Sequence, residues 1–167
     1  MSIIYTTYES PLGTLTLYAT ASALVGLIFP TQFVNFKEPV VIDETMPSPI
    51  LRQTIQWLDQ YFVGQVPTMI IPLAPQGTAF QQKVWSQLQH IPYGTSLTYG
   101  ELSQRVFNSP IPKGAQAIGS AVGANPISLI IPCHRVLGKG NALTGYTGGL
   151  SIKRALLSIE NISFVDK

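Results

Sequence analysis

At 167 residues the chain is long enough to bury a core as one ordinary domain or two small ones, and its one cysteine leaves no intrachain disulfide to build on. That composition excludes a secreted disulfide scaffold and fits a reducing, cytoplasmic setting. No apolar run approaches the roughly 18 residues of a membrane helix, and residues 1–10 lack the basic start of a secretory signal. Charge is scarce, at 11% of residues, and uneven. Residues 1–77 hold two basic against five acidic side chains, whereas residues 78–167 hold eight against three, which gives the second half a basic balance suited to an anionic partner such as nucleic acid.

In chain order, residues 3–8, 13–19 and 24–29 are short β-rich runs with alternating pattern, separated by turn signals at Ser10-Pro11-Leu12-Gly13 and Ala21-Ser22. They predict an antiparallel meander. Apolar residues Ile50, Leu51, Ile55, Leu58 and Phe62 recur at helical spacing and Gly64 follows them, which predicts a helix over 49–62 packed on the sheet. Pro67, Pro72, Pro75 and Gly77 break up residues 65–77, the best connection between two domains, 1–77 and 78–167. Beyond it, Thr78 is placed to cap a helix to about 89, and Thr98 to cap a second over 99–106. A third is expected from 113 to 122. Three short helices joined by tight turns fit a helix-turn-helix arrangement as well as plain packing. Residues 127–131 read as a buried extended segment leading to Cys133. A glycine-rich loop from Gly138 to Gly149 and a final helix over 150–160 complete the chain, with Asp166 in a frayed tail.

Cys133 lies in Ile131-Pro132-Cys133-His134-Arg135-Val136. By residue type alone a lone thiol is a small buried hydrophobe, but a neighbouring base and a positive charge are what a thiol needs to become a nucleophile. In an extended segment Cys133 and His134 would point to opposite faces, so a water would have to relay the proton between them. An acid to orient the imidazole is expected at Glu160, because Glu101 belongs to a different helix. Against this, His134 could be a core histidine and Glu160 an exposed helix-end carboxylate. One cysteine and two histidines without ligand spacing give no metal site, and Gly138-Lys139-Gly140 lacks the Lys-Ser/Thr ending of a phosphate loop. A Cys-His hydrolase stays open, with His90 as the remote histidine.

Pro132-Cys133-His134-Arg135-Val136 resembles the active-site signature of the O6-alkylguanine-DNA alkyltransferases. The likeness extends through Phe80 to Trp85, Ile91-Pro92-Tyr93-Gly94, Thr98-Tyr99-Gly100, Gly123-Ala124-Asn125-Pro126, Gly145-Tyr146-Thr147-Gly148-Gly149 and the block from Lys153 to Glu160. It implies an α+β protein: a small N-terminal RNase H-like α/β domain followed by a mostly helical winged helix-turn-helix domain. It implies a monomer that acts on double-stranded DNA containing O6-alkylguanine, with O4-alkylthymine as a further lesion, and that uses no cofactor. The damaged base is flipped out of the duplex and its alkyl group passes once, irreversibly, to the cysteine. A reader that flips the base without chemistry is the binding-class alternative.

By matching positions the resemblance makes Cys133 the acceptor, His134 the water-mediated base, Glu160 its orienting partner and Tyr99 the proton donor to the departing base. Tyr146, the Thr147 backbone and the Cys133 and Val136 carbonyls would contact the guanine, and Asn125 would brace the turn. Lys113, Gln116, Ala117, Gly119 and Arg135 are assigned to DNA contact. One departure stands out. Lys113-Gly114-Ala115-Gln116-Ala117-Ile118-Gly119 has glutamine where the family carries the arginine that fills the gap left by the flipped nucleotide. Residues 107–112 just before it are proline-rich and longer than the family's usual spacing.

Overall fold

Alternating apolar residues in the first thirty positions form strands β1 (Ile3–Ser10), β2 (Gly13–Ala19) and β3 (Leu24–Ile28). These coordinates are a computed structural model that describes residues 2–44 and 48–166. Period two puts Leu15, Leu17 and Ala19 of β2 on the buried face. A fourth strand, β4 (Val40–Ile42), pairs in parallel with β1 and gives the order β3-β2-β1-β4. Sequence pattern does not reveal it, because its three residues are too few to show a period and all are exposed. Helix α1 (Pro49–Phe62) has the expected bounds and covers the sheet. Ser48 caps it by accepting from the Leu51 amide, and Leu51, Thr54, Leu58 and Tyr61 form its buried stripe.

The proline-rich segment after α1 is no loose tether. It runs extended along β3, where the Leu24 amide donates to Pro72 O and the Ala74 amide to Leu24 O, both at 2.8 Å. One continuous core joins Leu17 and Leu58 of the first half to Trp85, Leu102 and Ile127 of the second.

Helix α2 (Ala79–Leu88) and helix α3 (Tyr99–Phe107) each open with a capping box, Thr78 with Gln81 and Thr98 with Glu101. The short strand β5 (Leu97–Thr98) precedes α3. Helix α4 (Ala115–Gly123) begins two residues later than expected, because Gly114 is left-handed at φ 64° and a Cβ there would lie 2.8 Å from Phe107. Buried Ser103 holds this entry by bonding the backbone of Lys113 on both sides. From α2, Trp85 donates its indole N–H to Ala121 O at 2.8 Å and fixes α4 against the core.

Strand β6 (Val136–Leu137) pairs in parallel with β5, and helix α5 (Leu150–Ile159) closes the fold with Glu160 as its C-cap. The tail departs from expectation. Val165 bridges to Ala142 and Arg154 pairs with Asp166 at 2.8 Å, so the segment is tied down. No described helix is long and apolar enough to cross a membrane.

Candidate active site

Residues 127–131 are buried as expected, apart from the half-buried Ile130, but they turn instead of extending. The Ile131 amide reaches back to Ile127 O, and Leu129 takes a left-handed φ of 72°. Asn125 closes the turn from inside: its Nδ2 donates to Ile131 O at 2.8 Å and its Oδ1 accepts from the Ile127 amide at 3.0 Å. From outside, Leu27 of β3 donates to Pro126 O and accepts from the Ser128 amide, each at 2.9 Å. Sequence pattern misses the turn because all of its residues but the partly buried Ile130 are buried, and burial on nearly every side erases periodicity.

Cys133–Arg135 form a single 3-10 turn, which overturns the expectation that Cys133 and His134 alternate along a strand. Both are buried, Cys133 at 3% and His134 at 0% exposure. His134 Nε2 lies 2.5 Å from Glu160 Oε2. Glu160 is buried too, not an exposed helix end. Its Oε2 also accepts from Tyr61 Oη at 2.7 Å, and its Oε1 accepts from Arg135 Nε at 2.7 Å and the Gly94 amide at 3.1 Å. Burial alone would raise the Glu160 pKa, but the bonds from His134 and Arg135 and the Arg135 charge outweigh it and hold the group at about 2. Burial lowers the His134 pKa against the pull of Glu160, so the resting imidazole is neutral. A neutral ring beside a carboxylate donates through Nε2, which leaves the lone pair on Nδ1; that atom is buried and bonds no described protein group.

Arg135 corrects the sequence expectation. It does not face DNA: its guanidinium bonds Glu160 and Ile91 O, lies over the Tyr93 ring, and its side chain is 9% exposed. An arginine that balances a buried carboxylate cannot also reach a phosphate.

Two contributors escape the motif reading. Tyr61 comes from the first half, and its place on the core stripe of α1 is the signal that could have found it. Lys153 is fully buried, donating from Nζ to Val136 O at 2.7 Å and Thr144 O at 3.3 Å. Its spacing from Leu156 and Leu157 already puts it on the apolar face of α5. Burial lowers its pKa to about 8, with Cys133 acting in the opposite direction. Burial likewise pushes the Cys133 thiol up, while Asn125, Tyr146 and Lys153 pull it down. The resting thiol therefore stays protonated and needs a base.

In front of Cys133 lies a cavity of about 270 Å³, bordered by Tyr99, Val122, Tyr146, Thr147 and the small residues Gly119 and Gly123 of α4. This is the low end of small-ligand pockets and fits one heterocycle better than an extended substrate. Burial, then Cys133, raises the pKa of both Tyr99 and Tyr146, so both hydroxyls keep their protons. Beside the cavity, Gln116, Ala117 and Lys113 are exposed at the start of α4. His90 is exposed just beyond α2 and is not part of the cavity wall.

Comparison with known proteins agrees with this geometry. The family described as 6-O-methylguanine DNA methyltransferase, ribonuclease-like domain, matches residues 3–75, and its DNA binding domain matches residues 79–162. The chain belongs to the 6-O-methylguanine DNA methyltransferase family. Its α+β class, a ribonuclease-like half before a DNA-binding half, is that of the family. Methylated-DNA–protein-cysteine methyltransferases from Haemophilus influenzae and Bacillus subtilis, the latter named constitutive, are similar to it at 43% and 41% identity. The first likeness spans 99% of this chain and 90% of the relative; the second spans 98% of each. Among solved structures, Mycobacterium tuberculosis OGT in complex with DNA superposes with a TM-score of 0.80 at 36% identity, covering 96% of this chain and 92% of that one.

Proposed function

We propose that this family member repairs DNA by direct reversal, moving the alkyl group of O6-alkylguanine to Cys133 once per molecule. The observation that carries the reading is the bonded pair His134–Glu160 directly behind a buried thiol that opens on a base-sized cavity. His134 Nδ1 takes the thiol proton through water, and Glu160 stabilises the imidazolium that results. The thiolate then attacks the alkyl carbon: the S–C bond forms as the C–O6 bond breaks, and the electron pair leaves on the guanine. Tyr99, whose hydroxyl remains protonated, supplies the proton that neutralises it. The thioether is not hydrolysed, so turnover ends there.

Tyr146, the Thr147 backbone and the Cys133 carbonyl contact the flipped base. Val136 O already accepts from Lys153 and has one lone pair left for the guanine amino group. Lys113, Gln116, Ala117 and Gly119 face the duplex, and the small residues let α4 approach closely. Gln116 occupies the stack vacated by the base, without the charge of an arginine. A division near Gly77, action as a monomer and a cytoplasmic setting complete the proposal; the single free cysteine supports the last.

The test is intact mass after incubation with an O6-methylguanine duplex. One added methyl, absent in Cys133→Ala, is the expected result. Tight binding without a mass change would identify a reader, and more than one equivalent repaired would rule out single use. Affinity should fall steeply with salt if the basic half contacts phosphates.

A further inference from the structure

The loop that carries Tyr146 and Thr147 contains Gly145, Gly148 and Gly149, and across this stretch its backbone makes a turn bond from the Gly149 amide to Tyr146 O at 2.9 Å. Two further anchors come from the other half of the molecule. Thr31 Oγ1 donates to Gly148 O at 3.1 Å, and Gln32 Nε2 donates to Thr147 Oγ1 at 2.8 Å. The Gln32 carboxamide has a second duty. Its Oε1 accepts from the Phe29 amide at 2.9 Å and from Ser128 Oγ at 3.0 Å. Because the Phe29 N–H can only donate, Oε1 must lie on that side and Nε2 must turn toward Thr147. Ser128 sits in the turn that presents Cys133, and Thr147 sits on the wall of the cavity.

One side chain thus bonds both the turn that carries the nucleophile and the loop that borders the base. We infer that Gln32 is a positioning residue for the transfer reaction, a cross-link that sets the spacing between the Cys133 thiol and the flipped base. The inference rests on the proposed alkyl transfer and gives the first half of the chain a part in it. Thr31 is the lesser anchor, since it touches only the loop. Neither residue reaches the reacting atoms, so their effect is on geometry, to which a transfer step between aligned atoms is sensitive.

The experiment compares wild type, Gln32→Leu, Thr147→Val and the double variant in single-turnover methyl transfer from an O6-methylguanine duplex, with duplex concentration varied to separate binding from the saturating rate. Alkylation of Cys133 by iodoacetamide is the parallel readout, because it needs the thiol but no positioned base. Each single variant should lower the saturating rate by about tenfold or more, given how steeply misplacement acts. Duplex affinity and iodoacetamide rate should hold within about twofold, and the double variant should lose no more than either single one. If Gln32→Leu does not fold, Ser128→Ala takes its place: it cuts the other end of the cross-link without bordering the cavity, and with Thr147→Val it should again lose no more than either single variant. An unchanged saturating rate, an equal fall with iodoacetamide, or additive losses would overturn the inference. Failure of wild type to take up a methyl would instead overturn the alkyl-transfer reading and the inference with it.

Discussion

Behind Cys133 the protein is charged and shut, and in front it is nearly bare. Glu160 alone accepts from Tyr61, Gly94, His134 and Arg135, partners drawn from three separate stretches of chain. On the other side Gly119 and Gly123 leave room at the cavity wall, and a Cβ added at Gly119 would meet nothing within 4 Å. The contrast separates two tasks. Protonation states are set in advance by a network with no slack, whereas access depends on side chains that are missing.

The largest effect should come from breaking the rear. Glu160→Gln keeps the shape and removes the charge, and the transfer rate should fall by about 10² to 10⁴, the worth of a positioned acid-base group. Urea unfolding should show a loss of about 3–5 kcal/mol, since Arg135 is left buried without its counter-charge. A variant as active and as stable as wild type would mean that the network is packing and nothing more. Acid should act on the same side. The Glu160 carboxyl titrates at about 2 in the fold against an ordinary 4.5. Its contribution to stability is therefore full above 4.5 and lost as pH falls toward 2, which urea midpoints across that range will register. The transfer rate should likewise hold below pH 6.5 before it drops, because burial lowers the pKa of the base His134.

The front should respond with opposite signs. Gly119→Ala improves the propensity of α4 and should raise stability by about 0.5–1 kcal/mol, yet slow transfer several-fold by narrowing the cavity. Thermal melts and single-turnover rates on the same samples will separate the two effects, and faster transfer would show that the cavity is wider than its occupant needs. Gln116→Arg is the mildest change. It should tighten duplex binding a few-fold and steepen the logarithmic salt dependence by about one unit, the mark of one more phosphate contact. No gain would show that glutamine fills the vacated stack as well as arginine does.

Local chemistry carried far in the sequence. The caps at Thr78 and Thr98 mark helix starts because each motif completes its own hydrogen bonds within four residues, and the boundaries of α1 follow from period and the stop at Gly64. The pairing of His134 with Glu160 was legible for another reason: the second half has few acids, and scarcity singles one out. What stayed hidden depends on distant partners. Arg135 looks like a DNA contact until Glu160 and Ile91 O are seen around it, and the turn before Cys133 cannot be inferred without Leu27 beside it. The roles of Tyr61 and Gln32 cross from one half of the chain to the other, and no local pattern encodes such a crossing.

The outer edge of β3 carries one last consequence. A strand at the border of a sheet leaves backbone donors and acceptors open to pairing with another chain. Here Pro72 and Ala74 take up that edge at Leu24, and Pro126 and Ser128 take it up at Leu27. The segment that presents the thiol is therefore also a guard against aggregation, and the ribonuclease-like half separated from it would present an adhesive border to its neighbours.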